Sequence, residues 1–271
     1  METSAYALIL DRRSVRTFDG RPLSADDRAE IERLLSDTAT PFDDSAEFMI
    51  LDSGEQKLKS PVIVGCDTYL AGKCRNRGTE AALGFGYAFE RLLINAWQRG
   101  IGSVWLAGTF DRAEFEKAAD LKEGEALIAV SPIGYAAEKQ SLRERMMRNG
   151  LKADERISFE ELFFRDDFSH GLKGEDAGAF EKPLNAMRLA PSAANRQPWR
   201  AIVCGGTVHF YKKRSIKAGF DVDIQIVDLG IGLSHFKMVA DEIGLSGSFI
   251  FADPAIHAGD DTEYVVSFRA D

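Results

Sequence analysis

Arg12-Arg13-Ser14-Val15-Arg16 puts three guanidiniums and a hydroxyl within five residues, directly after the apolar turn Tyr6-Ala7-Leu8-Ile9-Leu10. A guanidinium presents planar, forked donors that match phosphate oxygens, so the segment can serve as a compact anion clamp. The same string fits arginines alternating along a wet face, and alone it does not choose between the two. A second segment, Ala190-Pro191-Ser192-Ala193-Ala194-Asn195-Arg196-Gln197-Pro198-Trp199-Arg200, runs straight into the apolar Ala201-Ile202-Val203-Cys204. Its prolines hold the backbone extended around small residues. Ser192, Asn195 and Gln197 there offer donors and acceptors suited to the polar edge of a planar heterocycle. An ordinary proline-limited loop with local Asn and Ser turns would read the same way.

Other chemistries find less support. In Asp228-Leu-Gly-Ile-Gly-Leu-Ser-His235 two glycines of a dinucleotide loop are present, but His235 stands where a third should admit close helix packing. No acid is apparent on a second strand about 20 residues later, so packing at a helix start is the simpler use. Gly84-Phe-Gly86 lies inside a helical pattern. The histidines His170, His209, His235 and His257 share no metal spacing, and no metal is expected. No serine sits in a GxSxG elbow, and Asp43-Asp44 and Asp166-Asp167 read as solvated loop neighbours. Cys66, Cys74 and Cys204 form no CxxC and read as free structural thiols.

The elements that must position these residues follow from caps and periodicity. Ser24 and Asp27 ahead of Ile31, Leu34 and Leu35 make a capping box for an amphipathic helix over about 25–36. Pro61–Cys66 (PVIVGC) reads as a short buried strand. Glu80–Arg99 carries apolar residues on helical spacings with Gly100 as the residue just past its end, which predicts a long, mostly buried helix. Asp111 precedes a helix over about 112–120, and Ala126–Tyr135 reads as a strand. The charge-dense stretch 136–156 reads as a solvated arm. After 157–164 (ISFEELFF), the Gly- and Asp-rich run 165–178 (RDDFSHGLKGEDAG) is the best boundary, with the second part beginning near 169. Beyond it come a helix over about 178–188, strands at 199–204, 208–213 and 224–228, and a helix over about 231–243 before Gly244. Gly230 follows Gly86 by 144 positions and Gly244 follows Gly100 by the same 144, while Pro191 follows Pro41 by 150. These offsets raise an internal duplication as a hypothesis, although helix ends also match by chance.

At 271 residues, 45% hydrophobic and 28% charged, the chain can bury a large core. Its 43 acids against 34 basic residues give a formal charge of -9, which works against nucleic acid or anionic membrane as partner and favours a small molecule. Any anion it holds must therefore be held by a local basic cluster. The opening METSAYALILDRRSVRTF has charges too early for a secretory signal, and no stretch reaches the roughly 18 apolar residues of a membrane span, so a cytoplasmic location is expected.

RRSVRTF and APSAANRQPWR, taken together, resemble the two hallmark segments of the FMN-dependent nitroreductase family. GIGSVW (100–105), LAGTF (106–110), SPIGY (131–135) and SFEELFF (158–164) stand in that family's order. The resemblance implies an α+β, nitroreductase-like fold, a mixed or antiparallel sheet wrapped by helices, with FMN, in that family, at the interface of a homodimer. By the same resemblance Arg12, Ser14 and Arg16, with Arg13 among them, match the clamp on the FMN phosphate and ribityl chain. Pro191, Ser192 and Asn195, with Gln197, match the loop that in that family reaches the same flavin from the other subunit. Ala107 and Gly108 match the turn whose amides face flavin N5. Arg143 and Arg145 resemble a late basic pair near the phosphate, a role that Lys139 or Arg148 could equally fill. The implied activity is electron transfer from NAD(P)H through FMN to a nitroaromatic, quinone or similar planar acceptor, with no indispensable catalytic side chain. A dehalogenase or oxidase relative, and a flavin-binding sensor or storage protein without turnover, are the alternatives.

One departure from that family is specific. In its ordinary dimeric members the PSAxNxQPW loop follows RRSxR closely, whereas here Ser192 lies 178 positions after Ser14. The earlier place reads Thr40-Pro41-Phe42-Asp43-Asp44-Ser45, and 169–190 holds nothing like RRSVR. The simplest expectation is a single-chain pseudo-dimer of two pseudo-symmetric halves. Residues 1–168 would form the first half, and 169–271 the second, packed against it as one unit. One flavin site would keep both parts and the other neither, so a monomer is expected.

Overall fold

In the computed structural model, residues 4–43, 45–54, 58–216, 219 and 221–271 are described; Asp44, within the loop noted above, lies outside them. A short helix α1 (Ala5–Asp11) is capped by the Ser4 hydroxyl, which accepts from the Ala7 N–H. Helix α2 (Ala25–Leu35) starts on the expected box, with the Ser24 hydroxyl accepting from the Asp27 N–H at 3.1 Å. Strands β1 (Ala46–Asp52) and β2 (Thr68–Cys74) lead into α3 (Thr79–Gln98), which ends where Gly100 takes φ +76°. Strand β3 (Ile101–Ser103), α4 (Arg112–Ala118) and β4 (Ala126–Tyr135) complete an antiparallel sheet in the order β1-β2-β4-β3.

The chain then passes through α5 (Leu142–Gly150), the single turn α6 (Phe159–Leu162), β5 (Phe163–Arg165) and α7 (Glu181–Leu189). Strands β6 (Trp199–Cys204) and β7 (Thr207–Lys213), helix α8 (Ile224–Glu242), and strands β8 (Gly247–Ile250) and β9 (Thr262–Ala270) follow. The second sheet runs β5-β6-β7-β9-β8, with β5 parallel to β6 and the rest antiparallel. The fold is thus α+β. Among the described residues no helix is long and apolar enough to cross a membrane.

Helices α3 and α8 are apolar nearly all round, as helices buried on every side must be, and they cross at glycines. A Cβ on Gly86 would lie 2.1 Å from the Val227 carbonyl oxygen, and one on Gly230 would lie 2.3 Å from that of Leu83. Val227 follows Leu83 by the same 144 positions as Gly230 follows Gly86. The contact is therefore reciprocal, which is the pattern a two-fold axis generates. The sheets repeat it. In each, two strands, a long helix and two more strands are built in the order first-second-fourth-third, with β5 added at one edge.

Several expectations are corrected. Residues 61–66 make only a single bridge at Val64, because Pro61 lacks an N–H and Gly65 sits at φ +72°; the strand is 68–74, where Lys73 and two small residues hid it. Residues 224–228 open α8 instead of forming a strand, since Asp223 caps that turn by accepting from the Gln225 N–H at 3.0 Å. The arm at 136–156 contains α5, nucleated by the Ser141 hydroxyl accepting from the Glu144 N–H. Residues 163–165, placed before the boundary at 168, run in the second sheet. Strands β8 and β9 were not anticipated.

Candidate functional site

After α1 the chain turns extended at Arg12 (φ −61°, ψ 130°) and runs beside β3, with the Val15 N–H donating to Ser103 O at 2.9 Å. Extended backbone sends alternate side chains to opposite faces. Val15 is buried against Gly102, where a Cβ would meet it at 2.8 Å. Arg12, Ser14 and Arg16 face the other way and line a cavity of about 660 Å³. Arg13, more exposed, lines it too. The segment Val104–Thr109, which includes Ala107 and Gly108, forms another wall. The third wall is the loop Pro191–Arg196 with the first turns of α8.

The arginines are the unusual part. Arg12 Nε and Nη2 and Arg16 Nε and Nη1 are buried with no hydrogen-bond partner among the described residues. A buried donor without a partner costs about 1–3 kcal/mol, more when charged, so each such group asks for an explanation. Burial lowers the Arg16 pKa; the negative charge of Glu144 opposes that, and the positive charges of Arg148 and Arg12 add to it. Burial likewise lowers that of Arg156, with Arg12 again contributing. Arg12, Arg16, Arg148 and Arg156 thus form a local basic cluster on this cavity, against the chain's overall charge of -9.

Arg12 is steered from behind by Glu90 of α3, which is fully buried and whose Oε1 lies 4.0 Å from Arg12 Nε. Trp105 Nε1–H donates to Glu90 Oε2 at 2.6 Å, and His235 Nε2 lies 2.9 Å from Oε1. The other His235 nitrogen faces the Ala186 carbonyl at 3.2 Å, which can only accept, so Nδ1 carries a hydrogen. Burial pushes the Glu90 carboxyl up, but Arg12, His235 and Trp105 together bring it below its ordinary value. One buried carboxylate thereby ties the clamp, a cavity-lining indole and α8 together.

The loop 190–197 is held in a costly conformation. Ala194, Asn195 and Gln197 all have positive φ (+49°, +54°, +48°), each a cost of roughly 1–3 kcal/mol for a residue other than glycine. The Ser192 hydroxyl accepts from the Gln197 N–H at 2.9 Å, and the Ala193 N–H donates to Asp228 Oδ1 and Oδ2 at 2.9 and 3.1 Å. Asn195 Nδ2 donates to Lys152 O at 2.8 Å and Glu155 O at 3.1 Å. Its side chain therefore holds the segment carrying Arg156 in addition to lining the cavity.

Not every residue expected at the site reaches it. Gln197 is buried outside the cavity lining, its Oε1 accepting from the Ile157 N–H at 2.9 Å. Arg143 is exposed and donates to Pro61 O, and Arg145 is exposed; neither lines the cavity. The period of α5 turns Glu144 and Arg148 inward together, and Arg148 lines the cavity with its Nη1 3.5 Å from Ser14 O. Arg156, Trp105, Glu90 and Asp228 were not foreseen. The available signals were a lone acid within the apolar helix AFERLL and another within IQIVDLGIG. Burial pushes two of the three thiols, Cys66 and Cys74, up to about 11, and all three are free.

The α+β chain thus combines, on one cavity, two arginines whose buried nitrogens have no hydrogen-bond partner among the described residues with a wall of small loop residues, a chemistry suited to an anionic ligand. The family model described as "Putative TM nitroreductase" matches residues 4–240, and the chain belongs to that family. Its fold is also that of a solved "putative nitroreductase" from Thermotoga maritima MSB8. That structure is 20% identical, covers 99% of this chain and 94% of its own, and has a TM-score of 0.65. More distant likenesses include an FMN-dependent nitroreductase from Clostridium difficile R20291 (13% identity, 49% of this chain and 88% of that one, TM-score 0.41). Another is an FMN- and NADPH-dependent nitroreductase from Sphingopyxis sp. strain HMH (14% identity, 51% and 90%, TM-score 0.43). No curated protein matches the chain.

Proposed function

We propose that this nitroreductase-family oxidoreductase binds one FMN per chain and passes electrons from NAD(P)H to a nitroaromatic, quinone or similar planar acceptor, in the cytoplasm. The observation that carries the reading is the pair of buried arginines with free N–H groups on one cavity. A phosphate monoester supplies the oxygens those groups lack. Arg12 and Arg16 would hold the phosphate, with Arg148 and Arg156 adding charge and Ser14 a hydroxyl. Pro191, Ser192 and the small residues after them leave room for a flat ring to lie against backbone. Ala107 and Gly108 offer backbone amides to the ring's reactive edge. FMN, when bound, supplies the hydride and electron chemistry. The chain binds and orients the ring and excludes water, and no side chain is assigned as acid or base.

Among the described residues, the second, reciprocal place offers no comparable cradle. A Cβ on Gly84 would lie 2.1 Å from Asp43 O, so the loop before β1 lies directly on α3. Phe42 packs on Tyr87, Phe249 and Phe251 with ring centroids 5.1 to 6.3 Å apart. Aromatic side chains occupy that place, and among the described residues no arginine with unpartnered buried nitrogens accompanies them. The chain thus reads as an internal pseudo-dimer with one working site, which needs no partner subunit and is expected to be a monomer.

Mixing the purified protein with FMN, then adding NAD(P)H without oxygen and finally a quinone, tests the reading. Retained flavin colour, bleaching by NAD(P)H and recovery on adding the acceptor are expected. Retained flavin that NAD(P)H cannot bleach would identify a flavin-holding protein without turnover, and a chain that retains no FMN would contradict the reading outright.

A further inference from the structure

Asp228 is the one carboxyl group of α8 that lines the cavity. It is 3% exposed, and the only donor given to it among the described residues is the Ala193 N–H, shared between its two oxygens. No salt bridge involves it among those residues, in contrast to Glu90. Its counterpart on α3, 144 positions earlier, is Gly84, which packs on the backbone of the filled, reciprocal place. The acid therefore stands only on the side that has a cavity.

A carboxylate with one neutral donor is poorly solvated in such a place, whereas a carboxylic acid has one oxygen to accept from Ala193 and an O–H left to give. Resting on the flavin reading above, we propose that Asp228 is a neutral carboxylic acid that donates a hydrogen bond to a carbonyl oxygen or ring nitrogen of the bound flavin. Burial raises its pKa to about 8, with the like charge of Asp223 at the helix start adding to the effect and the Ala193 N–H opposing it. The other charged groups that share the cavity walls are Arg12, Arg13, Arg16, Arg148, Arg156 and Arg196, and the acid Asp154. From α3, Leu83, Gly86 and Tyr87 meet Val227, Gly230 and Ile231 of this stretch of α8, and Tyr87 is the titratable group among them.

The sign of the pH effect follows. If the flavin binds the protonated form, affinity is constant below the pKa of the free protein and falls up to about tenfold per pH unit above it. Asparagine reproduces the acid form, with one carbonyl to accept from Ala193 and an N–H₂ to donate, and cannot ionise. FMN dissociation constants would be measured by flavin fluorescence from pH 6 to pH 9.5 for the wild-type chain, Asp228→Asn and Asp228→Leu. The wild type should lose at least tenfold in affinity across that range relative to Asp228→Asn at the same pH, a comparison that cancels the titration of the phosphate. Asp228→Asn should match the wild type at pH 6, and Asp228→Leu should bind at least fivefold more weakly there. Parallel pH profiles for wild type and Asp228→Asn would overturn the inference while leaving the flavin reading intact. Absence of FMN binding by the wild type at every pH would overturn both. Should Asp228→Asn fail to fold, the infrared difference spectrum of the wild type decides. A protonated-carboxyl carbonyl band that shifts when FMN binds supports the inference, and no change in that region contradicts it.

Discussion

Arg16 shows how one side chain can be costly to the fold and yet carry the proposed site. It is 7% exposed, with two nitrogens unpartnered among the described residues, and burial has already lowered its pKa. A hydrogen bond to a charged group is worth about 1.5–3 kcal/mol. Arg16→Met should therefore weaken FMN binding by about a hundredfold. Arg16→Lys, which keeps charge but loses the fork, should weaken it by about tenfold, read by fluorescence titration. Equal affinities for all three chains would remove Arg16 from the clamp. Asn195→Ala should weaken binding less than Arg16→Met, because its side chain acts by holding the segment that carries Arg156. Asp228 makes a separate prediction for the flavin-free protein. Its pKa is raised by folding, to about 8, so the stability it contributes is present at low pH and is lost as pH rises from about 4 through 8. Thermal melts of Asp228→Asn should gain on the wild type progressively between pH 5 and pH 8, and a constant difference in Tm would contradict the buried, isolated acid. The clamp and the loop were legible because their chemistry is contiguous. Asp228 and Glu90 were not, because one acid in an apolar run carries no signal until its neighbours in space are known.

At the scale of elements, caps decided what could be read. Ser24 with Asp27 and the Gly100 stop marked α2 and the end of α3, and the β-branched and aromatic residues of 199–204 and 208–213 marked β6 and β7. The start of α8 was hidden because a helix buried on all faces has no apolar stripe, so IQIVD has the composition of a buried strand. The crossing of α3 and α8 carries a sharp prediction. A methyl on Gly86 would meet the Val227 carbonyl at 2.1 Å, and backbone cannot move aside cheaply. Gly86→Ala and Gly230→Ala should each destabilise the chain by about 3 kcal/mol, a fall in Tm of roughly 10 °C. The double variant should cost less than the two added, since one methyl already parts the helices. Gly150→Ala, with nothing within 4 Å, should leave Tm unchanged or slightly raised. A Gly86→Ala chain as stable as wild type would mean that the helices do not cross there.

At the scale of the whole molecule, which sheet a strand joins is not a local property. Residues 163–165 precede the expected boundary yet pair with β6, so the two sheet units are laced together by the chain between them. The matched offset of Gly86 and Gly230 was visible beforehand, but its meaning came only from the reciprocal contact. One FMN per chain is the central claim, because it follows jointly from the clamp at one end, the loop at the other and the aromatic filling of the reciprocal place. The direct measurement is the stoichiometry of FMN binding to protein of known concentration, taken with the solution mass by light scattering. One FMN per chain at the mass of a single chain, 29.9 kDa, is the predicted result. Two FMN per chain would show that the reciprocal place works, and half an FMN per chain at twice that mass would show a site shared between two copies; either would contradict a single site built from both ends of one chain.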